Sequence, residues 1–199
     1  MSDIYLFKIV IIGETEAGKT SIMKRLCDNI FSNSGASTLG INDRKTEIEV
    51  MNRKVTLHLW DTAGQDRFRS INRRYYQNAS GAALIFDLTS LKSFQGIPIW
   101  LKEFRDSVDR GVLVLIGNKL DLVEKRIVSF EEAQSFARNN GMRYIEASAK
   151  DGTGITEAFS ELSEKVLKRV LKNGIDTRSP SQSASLRLST QKNAKSGCC

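Results

Sequence analysis

The sequence predicts an α/β fold: a doubly wound, mostly parallel six-stranded sheet with one antiparallel hairpin strand and five helices. Two continuous apolar runs, Ala82–Phe86 and Val112–Ile116, have the pattern of parallel strands buried on both faces. Segments with helical spacing lie between the strand-like runs. A glycine-containing loop follows the first apolar run and leads into a helix, which is the order expected at the carboxyl edge of such a sheet.

The first strand is predicted from the apolar run Ile4–Ile12, and a helix from about Lys19 to Cys27 follows it. Three side chains of that helix are expected to face the core: Ile22, Leu26 and Cys27. Residues 28–40 contain scattered Asn, Ser and Gly without a sustained period, which predicts a long loop.

Two strand-like runs come next, Lys45–Val50 and Lys54–Trp60, and together they predict a β-hairpin that turns at residues 51–53. Apolar and polar residues alternate along the second run, as in a strand with one buried face. His58 is the only histidine of the chain, and the alternation places it on the outer face as a surface residue rather than a catalyst.

Helices and strands alternate in the second half of the chain. A helix is predicted from Ser93 to about Ser107, and Pro98 should either delay its start or kink it. Ser129 with Glu132 three residues later forms a capping box, and Gly141 is positioned to end the helix that this box opens.

The last strand is predicted at residues 142–147, and a helix with an apolar stripe follows it. The stripe consists of Ile155, Phe159, Leu162, Val166 and Val170. Beyond about Asn173 the chain has too few apolar residues to order itself. The sequence therefore predicts a domain at residues 1–172 and a flexible basic tail at residues 173–199.

Composition limits the class of protein. A chain of 199 residues with 40% hydrophobic content suits one α/β domain with an appendage. No apolar run approaches the roughly 20 residues that cross a bilayer, and no signal-peptide pattern is present, so a cytoplasmic protein is expected. Cys27, Cys198 and Cys199 do not suffice for a disulfide framework of the secreted kind.

The net charge of +7 is confined to the last part of the chain. From residue 165 onward the chain has eight basic residues and one acidic residue, Asp176, which accounts for the whole net charge of +7. Residues 1–164 are therefore electrically balanced. A balanced domain with a basic tail favours an acidic membrane surface at least as well as a polyanion. We therefore predict a membrane surface, and no nucleic acid, as a partner.

Residues 13–20 read G-x-x-x-x-G-K-[ST], the spacing of a phosphate-binding loop. Its glycines let successive backbone N–H groups point inward, and the helix that follows presents its positive end to an anion. Lys19 would reach the terminal phosphates, and Thr20 would give its hydroxyl to a magnesium ion that bridges them. An ordinary strand-to-helix turn is the alternative for this motif taken alone.

Polar clusters follow three further apolar runs at the same edge of the predicted sheet. They are Asp61–Gln65, Asn118–Asp121 and Ser148–Lys150. A carboxylate such as Asp121 accepts hydrogen bonds from guanine N1–H and the 2-amino group, whereas adenine offers no such pair of donors. Four polar clusters at one edge of one sheet, counting the phosphate loop, would be a large coincidence for a structural protein.

Together these residues resemble a small GTPase of the Ras superfamily, over about residues 4–172 and the extreme C-terminus. The resemblance implies the G domain fold of P-loop NTPases, with slow hydrolysis of GTP to GDP and phosphate and no arginine finger in cis. It implies phosphate contacts from Gly13, Glu14, Thr15, Glu16, Ala17, Gly18, Lys19, Thr20, Ser21, Thr38 and Gly64. It implies guanine contacts from Phe31, Asn118, Lys119, Asp121, Ser148, Ala149 and Lys150. The Mg²⁺ ligands would be Thr20, Thr38 and Asp61, and Gln65 would orient the attacking water.

Within the superfamily the chain is most similar to Rab proteins, through Trp60–Arg69, Tyr75-Tyr76 and the terminal Cys198-Cys199. In Rabs such paired cysteines carry geranylgeranyl groups, which anchor a basic tail to a membrane; unmodified thiols are the alternative. The resemblance implies a monomeric switch in vesicle traffic on the cytosolic face of an endomembrane. Its implied partners are an exchange factor, a GTPase-activating protein, a Rab escort protein, a GDP-dissociation inhibitor and effectors of the GTP state.

Several positions depart from the Rab pattern. Thr15 and Glu16 stand where Rabs usually have serine and a small residue, often glycine, and a carboxylate beside a triphosphate is repelled unless it turns outward. Asp43 stands where Rabs usually have a phenylalanine that joins Trp60 and Tyr75 in an effector-facing aromatic cluster.

These departures leave an alternative interpretation open, namely a nucleotide-binding scaffold with impaired hydrolysis. A P-loop kinase would need a basic lid, which the balanced charge of residues 1–164 does not suggest. A nucleic-acid-binding module has only the charge of the tail in its favour.

Overall fold

A computed structural model describes residues 5–32, 41–62 and 74–176. The strands are β1 (Tyr5–Ile12), β2 (Ile41–Val50), β3 (Arg53–Thr62), β4 (Gly81–Asp87), β5 (Val112–Asn118) and β6 (Arg143–Glu146). The helices with both ends in these ranges are α1 (Lys19–Asp28), α2 (Leu91–Gln95), α3 (Ile97–Ser107), α4 (Phe130–Asn139) and α5 (Ile155–Asp176). A 3₁₀ helix spans Val123–Lys125.

All six strands belong to one sheet in the order β2-β3-β1-β4-β5-β6. Only the β2–β3 pair is antiparallel among these strands, and every other neighbouring pair is parallel. The predicted fold class is therefore confirmed. Because β1 has β3 on one side and β4 on the other, the order of the strands reverses at the carboxyl end of β1, where ligands bind in such sheets.

Two apolar layers cover the two faces of the sheet. Side chains of β1 alternate between them: Ile9 and Ile11 join the layer under α1 and α5, whereas Val10 and Ile12 join the layer under α3 and α4. Every residue of β4 is buried, as the continuous apolar run predicts for a strand covered on both faces. The elements that position the site are thus held from both sides.

The predicted helix at residues 93–107 is instead two helices, α2 and α3, that meet at Gly96. Pro98 lies in the first turn of α3, where its missing N–H costs no intrahelical hydrogen bond. A Cβ at Gly96 would lie 2.6 Å from Glu14 Oε1, so this position packs directly against the phosphate loop. The proline thus starts a helix, one of the two outcomes expected for it.

The hairpin is longer than predicted and its turn is shorter. Val50 pairs with Arg53, which leaves a two-residue turn of Met51 and Asn52. Both turn residues have positive φ, 53° and 56°, as a type I′ turn requires. His58 lies on the outer face of β3 as expected, where its side chain is 21% exposed.

The remaining helix signals are confirmed. Ser129 accepts a hydrogen bond from the Glu132 N–H at 3.1 Å, and α4 ends just before Gly141, which has a φ of 67°. In α1, Leu26 and Cys27 are partly buried against the core, and Met23, which was not predicted, is buried there too.

The apolar stripe of α5 packs into the layer that this helix shares with α1. The helix runs through Asp176, past residue 172 where we placed the end of the domain. Residues 177–199 lie outside the described ranges, so the domain boundary and the flexible tail stay predictions. No helix within the described ranges is both long and apolar enough to cross a bilayer.

The hairpin turn offers a test of the fold. Replacing Met51 by Asn should stabilise the chain by about 1 kcal/mol, because asparagine adopts the left-handed conformation of this position more readily. Met51→Val should destabilise it, since a β-branched side chain clashes there. Urea unfolding at a fixed GDP concentration measures both changes. A midpoint for Met51→Asn at or below that of the wild type would contradict the assigned turn.

Candidate nucleotide site

The phosphate loop connects β1 to α1 through two glycines at which a Cβ would clash. Gly13 has a φ of 147°, and a Cβ there would lie 2.0 Å from the Ile85 carbonyl oxygen. Gly18 has a φ of 91°, and a Cβ there would lie 2.1 Å from Asn118 Nδ2. The loop is therefore pressed against β4 and β5, with its backbone rather than side chains at the sheet edge.

Lys19 is buried at the start of α1, where its Nζ donates to the Glu14 carbonyl oxygen at 2.7 Å. Burial lowers the pKa of Lys19 to about 8, although the Asp61 and Glu14 carboxylates oppose this shift. The same Glu14 carbonyl accepts from the Ala17 N–H at 3.3 Å. The ammonium group thus stands inside the loop, where a phosphate would restore its full charge.

The carboxylate of Glu14 faces α3. Its Oε1 accepts a hydrogen bond from the Trp100 indole at 2.9 Å, and Trp100 itself is fully buried. Thr15 and Glu16 are exposed, and Glu16 has a φ of 65°, a conformation that favours glycine. Ser21 lies in the first turn of α1 and is partly buried. The side chain of Glu14, one of the two acidic residues of the loop, is therefore fixed against α3.

Thr20 and Asp61 bring two oxygen ligands together beside the loop. The Thr20 hydroxyl donates to Asp61 Oδ2 at 2.5 Å, and Asp61 is fully buried near the end of β3. A hydroxyl and a carboxylate are the hard ligands that Mg²⁺ prefers. The described residues contain no group of three or more His, Cys, Asp or Glu side chains suited to a metal. Two protein ligands fit an ion that keeps water and substrate phosphates in its shell.

Asn118 joins the clusters of the predicted base site to the phosphate loop. Its side chain is buried at the end of β5, with Nδ2 donating to the Ala17 carbonyl oxygen at 2.9 Å. Its Oδ1 accepts from the Ala149 N–H at 3.2 Å. One amide therefore connects three segments that are far apart in the sequence.

Asp121 is held by the loop that follows β6. Its Oδ1 accepts from the Ser148 hydroxyl at 2.8 Å, and its Oδ2 lies 3.6 Å from Lys150 Nζ. Lys119 has a φ of 69° and pairs with Asp87 at 2.6 Å. The structure thus brings Asn118, Asp121 and the loop at residues 148–150 together at one edge of the sheet.

Of the other predicted site residues, only Phe31 lies within the described ranges. Phe31 lies just beyond α1 and packs, partly buried, against the apolar layer that α1 and α5 cover. Thr38, Gly64, Gln65, Cys198 and Cys199 lie outside the described residues, so their roles stay predictions.

Comparison with known proteins decides the family. The model of the Ras family matches residues 8–168. The chain belongs to the Ras family. It is similar to the GTP-binding protein ypt3 of Schizosaccharomyces pombe, at 38% identity over 98% of this chain and 96% of that protein.

Two further relatives are Ras-related proteins with Rab names. RABA2a of Arabidopsis thaliana is 36% identical over 98% of this chain and 94% of its own length. Rab-13 of Canis lupus familiaris is 41% identical over 85% of this chain and 83% of its own length. The chain is therefore a Rab-type small GTPase, an enzyme of vesicle traffic that hydrolyses GTP.

In this Rab-type chain, His58 joins the aromatic cluster of Trp60 and Tyr75. The rings of Trp60 and Tyr75 lie 5.8 Å apart, and the His58 ring lies 5.0 Å from Trp60. Asp43 does not add a ring to this cluster and instead contacts His58, with 2.7 Å between Oδ2 and Nε2. Lys8 Nζ lies 4.6 Å from the centre of the Trp60 ring. The cluster thus combines rings with charged groups.

Sequence reasoning missed three residues of this Ras-family site. Asp87, the partner of Lys119, ends β4, and a search of every strand end would have found it. Trp100 fixes Glu14, and Arg25 donates to the carbonyls of Ala149 and Lys150. Neither of these two contacts has a local sequence signal, because each joins segments that only the fold brings together.

The lowered pKa of Lys19 predicts proton uptake on binding. With a pKa of about 8 in the empty chain, Lys19 is about half neutral at pH 8, and phosphates that recharge it raise its pKa. GDP binding should therefore take up about half a proton at pH 8 and about a tenth at pH 7. Affinity should fall as the pH rises above 8. Calorimetry in buffers of different ionisation enthalpy measures the uptake.

The matched control for this measurement is Lys19→Arg, which stays charged at pH 8 and, at saturating GDP, should bind without the uptake. Equal binding enthalpies for the wild type in all buffers at pH 8 would show that Lys19 is already fully charged.

Proposed function

We propose that this Rab-type GTPase acts as a switch that binds GTP or GDP with Mg²⁺ at the carboxyl edge of its sheet. The observation that carries the proposal is the pair of hydrogen bonds made by Asn118, which join the phosphate loop to the predicted base loop. A kinase of a small molecule would need an acceptor site in addition, and no cluster of the described residues suggests one.

On the phosphate side, the backbone N–H groups of residues 13–18 and the Lys19 ammonium would bind the phosphates. Thr20 and Asp61, with Thr38, would hold the Mg²⁺ ion, which neutralises charge on the β- and γ-phosphates when bound. On the base side, Asp121 would accept the guanine N1–H and 2-amino groups, supported by Asn118, Lys119 and the loop at residues 148–150. Phe31 would pack on the base.

Gln65 would orient the attacking water, and the γ-phosphate would order the loops around Thr38 and Gly64 until it leaves. Intrinsic turnover would be slow, and a GTPase-activating protein would raise it by up to about 10⁵-fold. The interpretation as a scaffold with impaired hydrolysis loses support, because the Glu14 carboxylate is held by a hydrogen bond from the Trp100 indole of α3.

The membrane role is proposed from the tail. Residues 1–172 would form the GTP-binding domain, and residues 173–199 would tether it through geranylgeranylated Cys198 and Cys199. Attachment would place the monomeric chain on the cytosolic face of an endomembrane. Its partners there would be an exchange factor, a Rab escort protein, a GDP-dissociation inhibitor and effectors, with no nucleic acid among them.

Base recognition by Asp121 can be tested by reversing its hydrogen bonding. Asp121→Asn exchanges one acceptor for a donor, which suits the carbonyl oxygen that xanthine has in place of the 2-amino group of guanine. We expect the variant to favour XTP over GTP by about 100-fold, since mismatched buried polar groups discriminate strongly. Phosphate release from each nucleotide, without any added acceptor, measures the preference.

The control is Asp151→Asn, because Asp151 is an exposed carboxylate just after the same loop. It should keep the preference for GTP. If Asp121→Asn also kept that preference, or if the wild type released no phosphate from GTP, the proposal would be wrong.

The acidic phosphate loop gives a second test. Glu16 is strained in its left-handed conformation and adds a negative charge near the phosphates, so Glu16→Gly should slow GDP dissociation about threefold to tenfold. The variant should also be about 1 kcal/mol more stable. Glu16→Gln separates the two causes, because it removes the charge and keeps the strain. Dissociation of fluorescent GDP at the wild-type rate from both variants would exclude any effect of Glu16.

A further inference from the structure

Arg25, in the last turns of α1, donates hydrogen bonds to the loop that follows β6. Its Nε lies 2.9 Å from the Ala149 carbonyl oxygen, and its Nη2 lies 2.5 Å from the Lys150 carbonyl oxygen. The N–H of Ala149 is bound from the other side by Asn118. Both backbone groups of Ala149 are therefore held, one by β5 and one by α1.

The remaining nitrogen of the same guanidinium binds the end of its own helix. Nη1 of Arg25 lies 3.0 Å from the Asn29 carbonyl oxygen and 2.9 Å from Asn29 Oδ1. Asn29 caps α1 with a φ of 55° and is followed closely by Phe31. Arg25 thus fixes both the loop at residues 148–150 and the start of the segment that carries Phe31.

The chemistry of these contacts requires an arginine. Its four acceptors are neutral oxygens of the main chain and of an amide, so the contacts depend on direction more than on charge. A planar guanidinium presents five N–H donors in a rigid fork, whereas a lysine ammonium is a point charge on a flexible stem. Lysine could keep the charge of position 25 but not this set of bonds.

We propose that Arg25 is a positioning residue that joins the two sides of the guanine pocket and slows nucleotide release. This inference rests on the proposed function. In the proposed pocket, movement of the loop at residues 148–150 or of the Phe31 segment would release the base, and either movement would break bonds to Arg25. Because Arg25 acts on the base side, its loss affects nucleotides with different phosphates equally.

The experiment compares Arg25→Ala and Arg25→Lys with the wild type and with Arg105→Ala. Arg105 is a matched control, since its Nη2 donates to the Asn140 carbonyl oxygen at 2.7 Å between α3 and the end of α4, away from the predicted pocket. We measure dissociation of fluorescent GDP and of a non-hydrolysable GTP analogue in Mg²⁺, and the ratio of GDP to IDP affinity. IDP lacks the 2-amino group that Asp121 would bind.

We expect dissociation about tenfold faster for Arg25→Ala and at least about threefold faster for Arg25→Lys, by the same factor for both nucleotides. The preference for GDP over IDP should fall in both variants, and Arg105→Ala should behave as the wild type. Wild-type rates in Arg25→Ala, or faster release with an unchanged GDP-to-IDP ratio, would overturn the inference. A wild type that fails to retain GDP would instead overturn the proposed function.

Discussion

The site depends on the buried amide of Asn118. A primary amide both donates and accepts, so Asn118 can satisfy the Ala17 carbonyl oxygen and the Ala149 N–H at the same time. An aspartate would set a carboxylate against the carbonyl, and an apolar residue would leave two buried groups unpaired. Position 18 suits a glycine, because Asn118 occupies the space that a Cβ there would need. One side chain therefore fixes the distance between the phosphate loop and the base loop.

The sheet makes this connection possible. Parallel strands deliver the ends of β1, β4 and β5 to one edge, so residues far apart in sequence meet without long loops. Asp87 and Lys119 show the same principle. Asp87 is the last residue of β4, Lys119 directly follows the neighbouring strand β5, and their side chains pair at 2.6 Å. The acidic loop is accommodated in a similar way, because the break at Gly96 lets α3 present Trp100 to Glu14.

Much of the fold was readable from the sequence, because it depends on local signals. The buried runs predicted β4 and β5, the capping box predicted the start of α4, and the spacing of residues 13–20 predicted the loop. The two-residue turn of Met51 and Asn52 was not predicted, because neither residue type requires positive φ. The break at Gly96 was not predicted either, because this glycine packs against the side chain of Glu14, which is distant in the sequence. Arg25 was missed because its acceptors in the loop at residues 148–150 are backbone carbonyls, so the residue types of that loop do not indicate the contact.

The proposed pocket for a guanine nucleotide combines the phosphate loop, Asp61, residues 118–121 and the loop at residues 148–150. The most direct measurement is to denature the purified full chain and identify the released nucleotide by chromatography and mass spectrometry. We expect GDP or GTP at close to one equivalent per chain, released together with magnesium. Recovery of an adenine nucleotide in that amount would contradict it, as would an empty chain that binds ATP more tightly than GTP.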